Sequence, residues 1–137
     1  MATEILVNDG GAPCRIIPMV VDAANVSAGD ALGASDVAGT DAKCQPLDTG
    51  TAEQNFLGVA LTDANIGQVC NVITGRGVVV RINCASVSGG VCLMAGDTAG
   101  QLKTIVSTSG DDGIFAHPVA ITMEDNSGAG LTKCLTV

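Results

Sequence analysis

Short apolar runs separated by turn residues extend along most of the chain and predict β-strands. The clearest run is 78–84, where every second residue is apolar and Arg81 and Asn83 lie on the opposite face. Glycine occurs 18 times, often beside Asp, Asn or Ser, which is typical of turns. Further strands are expected at 14–21, 43–47, 56–62, 68–74, 91–94, 101–106, 115–123 and 131–137. Many short strands at this spacing predict an all-β fold, a compact β-sandwich or barrel.

Part of this pattern occurs twice, which predicts a weak internal duplication. The sequence Val-Ala-Leu-Thr at 59–62 leads through a glycine-containing turn into a strand, and Val-Ala-Ile-Thr at 119–122 does the same. Ala-Gly-Asp at 28–30 matches Ala-Gly-Asp at 95–97, with a larger offset between the copies. The matched segments carry no candidate catalytic pair, which favours a scaffold over an enzyme.

The first 13 residues differ in character from the rest of the chain. Glycines and a proline between 10 and 13 separate the apolar stretch 5–7 from the first strand. We expect a flexible N-terminal arm over 1–13, which becomes ordered against a partner. Residues 14–137 are expected to form a single β domain. Its repeat-like halves are predicted at about 14–84 and 85–137.

The apolar residues include almost no large aromatic side chains. They make up 47% of the 137 residues, yet there are two phenylalanines and no Trp or Tyr. The core must therefore be built from aliphatic side chains and cysteines, which pack well between pleated strands. None of the six cysteines forms a C-x-x-C pair, so we expect mainly buried free thiols, with disulfide formation left open.

Charge and hydropathy exclude several classes of partner. The net charge is −8, the chain has only six basic residues, and they form no cluster, which argues against nucleic acid. No apolar run approaches the ~18 residues of a membrane span. The first residues lack the features of a secretory signal, so we expect synthesis in a cytoplasm.

No arrangement of side chains predicts catalysis, a cofactor or a metal site. His117 is the only histidine and precedes a proline, and no serine lies in a G-x-S-x-G elbow. Adjacent acids at 111–112 and 124–125 lie in turn contexts, and no D-x-D-x-D-G calcium loop is present. We therefore expect a protein that is not an enzyme.

A family resemblance follows from two motifs. The pattern V-x-x-G-D-x-L at 26–32 is followed, after a small polar loop, by G-V-A-L-x-D-A-x-x-G-x-V at 58–69. This succession resembles the capsid cement, or head-decoration, proteins of tailed bacteriophages. The likeness covers about 14–84 well and the second half more loosely.

The resemblance implies a β-rich protein on the outer surface of a virion, where it stabilises the shell by bridging neighbouring capsomers. Its expected partners are the major capsid protein and further copies of this chain, as a homotrimer. We expect the capsid contact at Ile5, Leu6, Val7 and Arg15. Contacts between subunits are expected at Arg76 and Arg81, as ion pairs across an interface.

Two alternatives stay open. The pattern at 26–30 also occurs in lipoyl and biotinyl carrier domains, which carry a modified lysine at a hairpin tip. None of Lys43, Lys103 and Lys133 lies in the Asp-Lys or Met-Lys-Met setting of those domains. A β-rich adhesin module is the other alternative, against which the missing export signal counts.

Overall fold

The computed structural model describes residues 4–7, 11–35, 43–47, 56–105 and 118–137. Within these ranges the chain forms ten strands and no helix, which confirms the all-β prediction. No helix of the described ranges could therefore span a membrane. The strands are β1 Arg15–Val21, β2 Ala31–Ala34, β3 Lys43–Pro46, β4 Phe56–Ala60, β5 Val69–Thr74, β6 Val79–Cys84, β7 Cys92–Ala95, β8 Leu102–Thr104, β9 Ala120–Thr122 and β10 Gly130–Thr136.

The strands form two closed five-stranded barrels in tandem. Barrel 1 has the strand order β1-β3-β2-β4-β5, and barrel 2 has the order β6-β8-β7-β9-β10. In each barrel the first strand runs parallel to the third, and the other four pairings are antiparallel. The five strands of barrel 2 thus repeat the five strands of barrel 1 pairing for pairing.

β6 illustrates why the apolar runs fold as strands. Val80, Ile82 and Cys84 are fully buried inside barrel 2, whereas Arg81 and Asn83 alternate with them and stay partly exposed. Valine and isoleucine are branched at Cβ, which restricts χ1 and suits a pleated strand. The period of two therefore separates the barrel interior from its outer surface.

The strand registers identify equivalent residues in the two barrels. Leu32 of β2 lies opposite Gly58, and Leu93 of β7 lies opposite Ala120. In the same way, the pair Val20 and Val69 of barrel 1 corresponds to the pair Asn83 and Leu131 of barrel 2. The bridge between Val26 and Ala64 has its counterpart between Val87 and Asn126.

These equivalences correct the alignment of the two copies. Ala-Gly-Asp at 28–30 corresponds to Gly-Gly-Val at 89–91, and not to 95–97, because the same strand pairing follows each turn. Ala60 corresponds to Thr122, so the copies of 59–62 and 119–122 are misaligned by two residues. A slip of two keeps every side chain on the same face and leaves no trace in the hydrophobic pattern. β6, which the sequence placed in the first half, begins the second barrel.

Two apolar clusters form the core, from aliphatic side chains and cysteines. The smaller fills barrel 1 and consists of Val21, Val26, Leu32, Cys44, Ala60, Ala64, Cys70 and Val72. The larger fills barrel 2 and continues into the space between the barrels, where barrel 1 contributes Ala31, Leu47, Val59 and Ile73. Full burial of one valine, leucine or isoleucine side chain stabilises the fold by about 1.5–3 kcal/mol. The apolar side chains buried between the barrels therefore hold the barrels together.

All six cysteines are free thiols. Cys70, Cys84 and Cys134 are buried, as expected from their apolar neighbours, and Cys44 is buried as well. Burial raises the pKa of Cys44 to about 11, so this thiol stays protonated near neutral pH. Cys92, which was expected to be buried, is exposed, because it begins β7 on a part of barrel 2 that barrel 1 does not cover.

Candidate functional site

Residues 4–7 pair with the outer edge of β6 in the same chain. Leu6 forms an antiparallel bridge with Val80, and the N–H of Val7 donates to the carbonyl of Val79 at 3.1 Å. The N–H of Arg81 donates to the carbonyl of Ile5 at 2.8 Å. The Ile5 side chain is 5% exposed and belongs to the larger apolar cluster.

The predicted capsid contacts therefore divide into two kinds. Ile5 is a core residue of its own chain, and its side chain has little surface to offer a partner. Leu6 and Val7 are partly exposed, and Arg15 is exposed at the start of β1. These three residues stay predictions for a capsid contact. Residues 1–3 and 8–10 lie outside the described residues.

The two arginines predicted between subunits lie in different surroundings. The guanidinium of Arg81 donates to the carbonyl of Glu4 at 2.7 Å, which ties it to the N-terminal segment of its own chain. Arg76 is exposed in the connection between the barrels. In the part of the chain that the structure describes, the one salt bridge joins Lys103 to Asp97. A role in subunit contacts stays a prediction for both arginines.

The turn Gly29–Ala31, which we call the tip of barrel 1, docks on barrel 2. The carbonyl of Gly29 accepts a hydrogen bond from the N–H of Asn83 at 2.8 Å. The Asn83 amide donates to Asp30 Oδ1 at 3.3 Å, and the N–H of Ala31 donates to the carbonyl of Gly100 at 2.9 Å. Three successive residues of the tip thus bond to the second barrel.

Close packing accompanies these hydrogen bonds. Gly29 has a φ of 92°, and a Cβ at this position would overlap the Cδ2 atom of Leu131. Asp30 is 8% exposed, and the N–H of Ser27 donates to its Oδ2 at 2.9 Å. Burial raises the pKa of Asp30, against the opposing effect of the hydrogen bonds from Ser27 and Asn83. The tip therefore requires glycine at position 29, and the folded chain partly removes the Asp30 carboxyl group from water.

Among the described residues, barrel 1 exposes an apolar surface whose equivalent on barrel 2 is covered by the tip of barrel 1. Val69 is 58% exposed, Ile16 is 46% exposed, and Val20 between them is partly exposed. Pro18 follows the same side of β1 and has no N–H to donate. Exposed apolar groups that adjoin one another commonly mark an interaction surface.

Sequence reasoning did not select this surface, although one signal was present. The run 68–74 has apolar residues on both faces, Val69 and Ile73 on one and Cys70 and Val72 on the other. A strand of a small barrel needs only one apolar face, so the second must contact something else. Ile73 does so against barrel 2, and Val69 does not.

The described residues include no group of three or more His, Cys, Asp or Glu side chains that could hold a metal ion. His117 and the acids at 111–112 lie outside the described residues. All three lysines lie in strands, Lys43 in β3, Lys103 in β8 and Lys133 in β10. The hairpin-tip lysine of a carrier domain therefore has no counterpart.

Comparison with known proteins shows a likeness to a solved structure. No protein-family profile matches the chain, and no curated protein sequence does either. The crystal structure of the N base of head fiber gp8.5 in bacteriophage phi29 is similar, with a TM-score of 0.61 and 16% sequence identity. The similar region covers 91% of this chain and 95% of that chain, so it includes both barrels. At this identity the likeness is one of fold.

Proposed function

We infer that this chain is a structural virion protein that binds the outer surface of a phage capsid as a homotrimer and stabilises the shell by bridging capsomers. The observation that carries this proposal is the fold likeness to a phage head fiber base over nearly the full length of both chains. The motifs at 26–32 and 58–69 support a phage head protein independently, since they resemble those of capsid cement proteins. The fold likeness supports a protein of the phage head, and the cement-protein motifs support the bridging of capsomers.

The mechanism needs binding and no catalysis. A protein that binds the assembled shell, and not the separate capsid subunits, shifts the assembly equilibrium toward the shell by mass action. Each contact can be weak because many copies act on one particle. The exposed Arg15 and the partly exposed Leu6 and Val7 supply a cation and apolar surface for the capsid contact.

Of the alternatives, the carrier domain is disfavoured because its modified lysine belongs at a hairpin tip. Lys43, Lys103 and Lys133 all lie within strands, where a prosthetic group could not swing between active sites. The mass of the purified protein provides a direct check. A mass equal to that of the unmodified chain supports the virion role, whereas an added lipoyl or biotinyl group would contradict it.

Binding to capsids is the main test. Heads of the encoding virus are prepared without this protein, mixed with the purified chain and sedimented. We expect the chain to pellet with the heads, to saturate at a fixed ratio to capsid protein, and to raise the temperature at which the heads break open. A chain that stays in the supernatant at all concentrations would contradict the proposal.

Variants sharpen this test. Arg15→Glu is expected to weaken head binding and to reduce its salt dependence, since it reverses an exposed charge at the predicted contact. Met123→Glu serves as the matched control, because Met123 is 51% exposed and lies outside the predicted contact. Deletion of residues 1–13 is a poor variant, because it also removes Ile5 from the core.

A further inference from the structure

Each barrel has a tip and a face that are equivalent between the two copies. The tip of barrel 1 is Gly29–Ala31, and the equivalent turn 90–92 is the tip of barrel 2. The face of barrel 1 is formed by Val20 and Val69. The equivalent face of barrel 2 is formed by Asn83 and Leu131.

Only one tip and one face meet within the chain. The tip of barrel 1 lies on the face of barrel 2, where Gly29 contacts Leu131 and Asp30 bonds to Asn83. All three residues of this tip are consequently buried.

The equivalent tip and face are left uncovered at opposite ends of the repeat. In the tip of barrel 2, Gly90 and Cys92 are exposed and Val91 is partly exposed. In the face of barrel 1, Val69 is 58% exposed and Val20 is partly exposed. The structure thus contains one contact between a tip and a face. It also has a second tip and a second face that do not meet within the chain.

The chemistry of the uncovered tip and the uncovered face matches. In the contact within the chain, Asp30 of the tip bonds to Asn83 of the face. The equivalent residues are Val91 in the uncovered tip and Val20 in the uncovered face. The polar pair of the first contact thus corresponds to an apolar pair in the second. The glycine at the head of the tip is kept as well, with a φ of 92° at Gly29 and 75° at Gly90. A Cβ on Gly90 would meet nothing within 4 Å, so its backbone is open to a close approach.

We propose that copies of this chain associate head to tail, with the tip of barrel 2 of one copy on the face of barrel 1 of the next. The contact repeats between chains the apolar packing that joins the barrels within a chain. It lacks the backbone hydrogen bond that Asn83 makes, because the equivalent Val20 already pairs with Lys43 of β3. Such a heterologous contact closes into a ring or grows into a filament. Three copies in a closed ring give six barrels in succession, which fits the homotrimer proposed above. Association itself does not depend on a capsid.

The edge of β1 argues against one competing arrangement, in which the N-terminal segment of one copy adds to β1 of the next copy. Residues 5–7 bind the edge of β6 through the N–H of Arg81. Pro18 occupies the equivalent position in β1 and has no N–H, so a segment 5–7 from another copy would lose this bond. The tip and the face remain as the matching surfaces.

Sedimentation velocity in reducing buffer, with no capsid present, tests the proposal. The wild type is expected to associate beyond the 13.6 kDa of one chain. Val69→Glu in the face and Val91→Glu in the tip place a charge in an apolar contact, and each is expected to weaken association by at least ~10-fold. Val137→Glu is the control, since it makes the same substitution at a residue that is 42% exposed and lies at the end of β10 away from both surfaces.

A mixture of the two variants gives the sharpest result. Val69→Glu keeps an intact tip, and Val91→Glu keeps an intact face, so an equimolar mixture should form a dimer of twice the single-chain mass and nothing larger. Circular dichroism establishes that both variants fold. A monomeric wild type, a monomeric mixture, an unchanged Val69→Glu or Val91→Glu, or a dissociated Val137→Glu would overturn the proposal. Association without head binding would overturn the proposed function and leave this inference intact.

Discussion

The two barrels share every strand pairing and differ in what their interiors and outer surfaces contain. In barrel 2, Thr122, Thr132 and Asn126 stand where barrel 1 has Ala60, Cys70 and Ala64. On its outer surface, barrel 1 exposes apolar side chains on a face whose counterpart in barrel 2 is covered. The closed five-stranded topology thus survived changes on both sides of its wall. The two barrels therefore differ in the side chains that fill them and in the contacts that their outer surfaces make.

The interior of barrel 2 satisfies its polar groups internally. The Thr122 hydroxyl donates to the carbonyl of Ser88, and Asn126 Nδ2 donates to Thr132 Oγ1 at 2.8 Å. Thr122 and Thr132 are 2% and 0% exposed. Because a buried polar group without a partner costs about 1–3 kcal/mol, these bonds must form together.

The largest expected effect is at Gly58, where the barrels differ by one methyl group. A Cβ on Gly58 would overlap the backbone carbonyl oxygen of Ile73, so Gly58→Ala is expected to destabilise by ~3 kcal/mol or more. The equivalent residue Ala120 already carries a Cβ. Ala120→Gly should cost only ~1 kcal/mol. Urea unfolding of both variants checks this, and equal costs would contradict the difference between the barrels.

The N-terminal segment gives the next largest effect. Ile5→Ala removes a 5% exposed side chain from the core and is expected to lower the free energy of unfolding by ~2 kcal/mol or more. Leu6→Ala, at a partly exposed neighbour, should cost ~1 kcal/mol or less. Thermal and urea unfolding measure both. If Ile5→Ala proved as stable as the wild type, the segment 4–7 would be an accessory arm and not part of barrel 2.

The polar interior of barrel 2 can be weakened selectively. Thr132→Val removes the acceptor of the 2.8 Å bond from Asn126 and is expected to cost ~1–2 kcal/mol. At the equivalent position in barrel 1, Cys70→Val should cost less, because Cys70 lies in an apolar cluster. A double-mutant cycle of Thr132→Val with Asn126→Ala isolates the bond. Additive costs in that cycle would mean that the two side chains do not depend on each other.

The smallest effect is a pH dependence that belongs to the tip of barrel 1. Burial, with a smaller contribution from the Asp63 carboxylate, raises the pKa of Asp30 above its usual 3.8. The folded state therefore favours the protonated acid, and its stabilising effect is complete below pH 3.8 and lost as the pH rises through the raised pKa.

Asp30→Asn removes this titration, so the wild type should lose stability relative to the variant as the pH rises from 3.8 through the raised pKa of Asp30. Acids with a lowered pKa, such as Asp22, give the opposite slope in both proteins and cancel in the difference. Urea unfolding at several pH values measures it. A difference that is constant with pH would contradict a desolvated Asp30.

The strands and the barrel class were predictable from the sequence because both follow from local patterns. The alternation at 78–84 defines β6. Pro18 has no N–H to donate and therefore predicts an edge or a bend, as observed in the part of β1 that projects beyond β3. Gly58, within the apolar run 56–62, predicts an irregularity in its strand, and a register shift occurs at Leu32 opposite it. Each of these signals lies within a few residues of the feature it predicts.

The docking of one barrel on the other was not predictable, because it depends on residues far apart in the chain. Nothing near Gly29 indicates that Leu131 will pack against it, or that Asn83 will bond to Asp30. The same reason explains the exposed Cys92, whose equivalent Ala31 is buried only through contact with barrel 2. Non-local contacts also placed Ile5 in the core.

The proposed function predicts phage particles that carry this chain, and electron cryomicroscopy of such particles most directly tests whether three chains form a ring on the outer capsid surface. The expected map has three chains, and hence six barrels, around an axis on the outer capsid surface, with residues 90–92 of each chain on Val20 and Val69 of the next. Isolated double barrels, rings in which like barrels meet, or particles without this protein would contradict it.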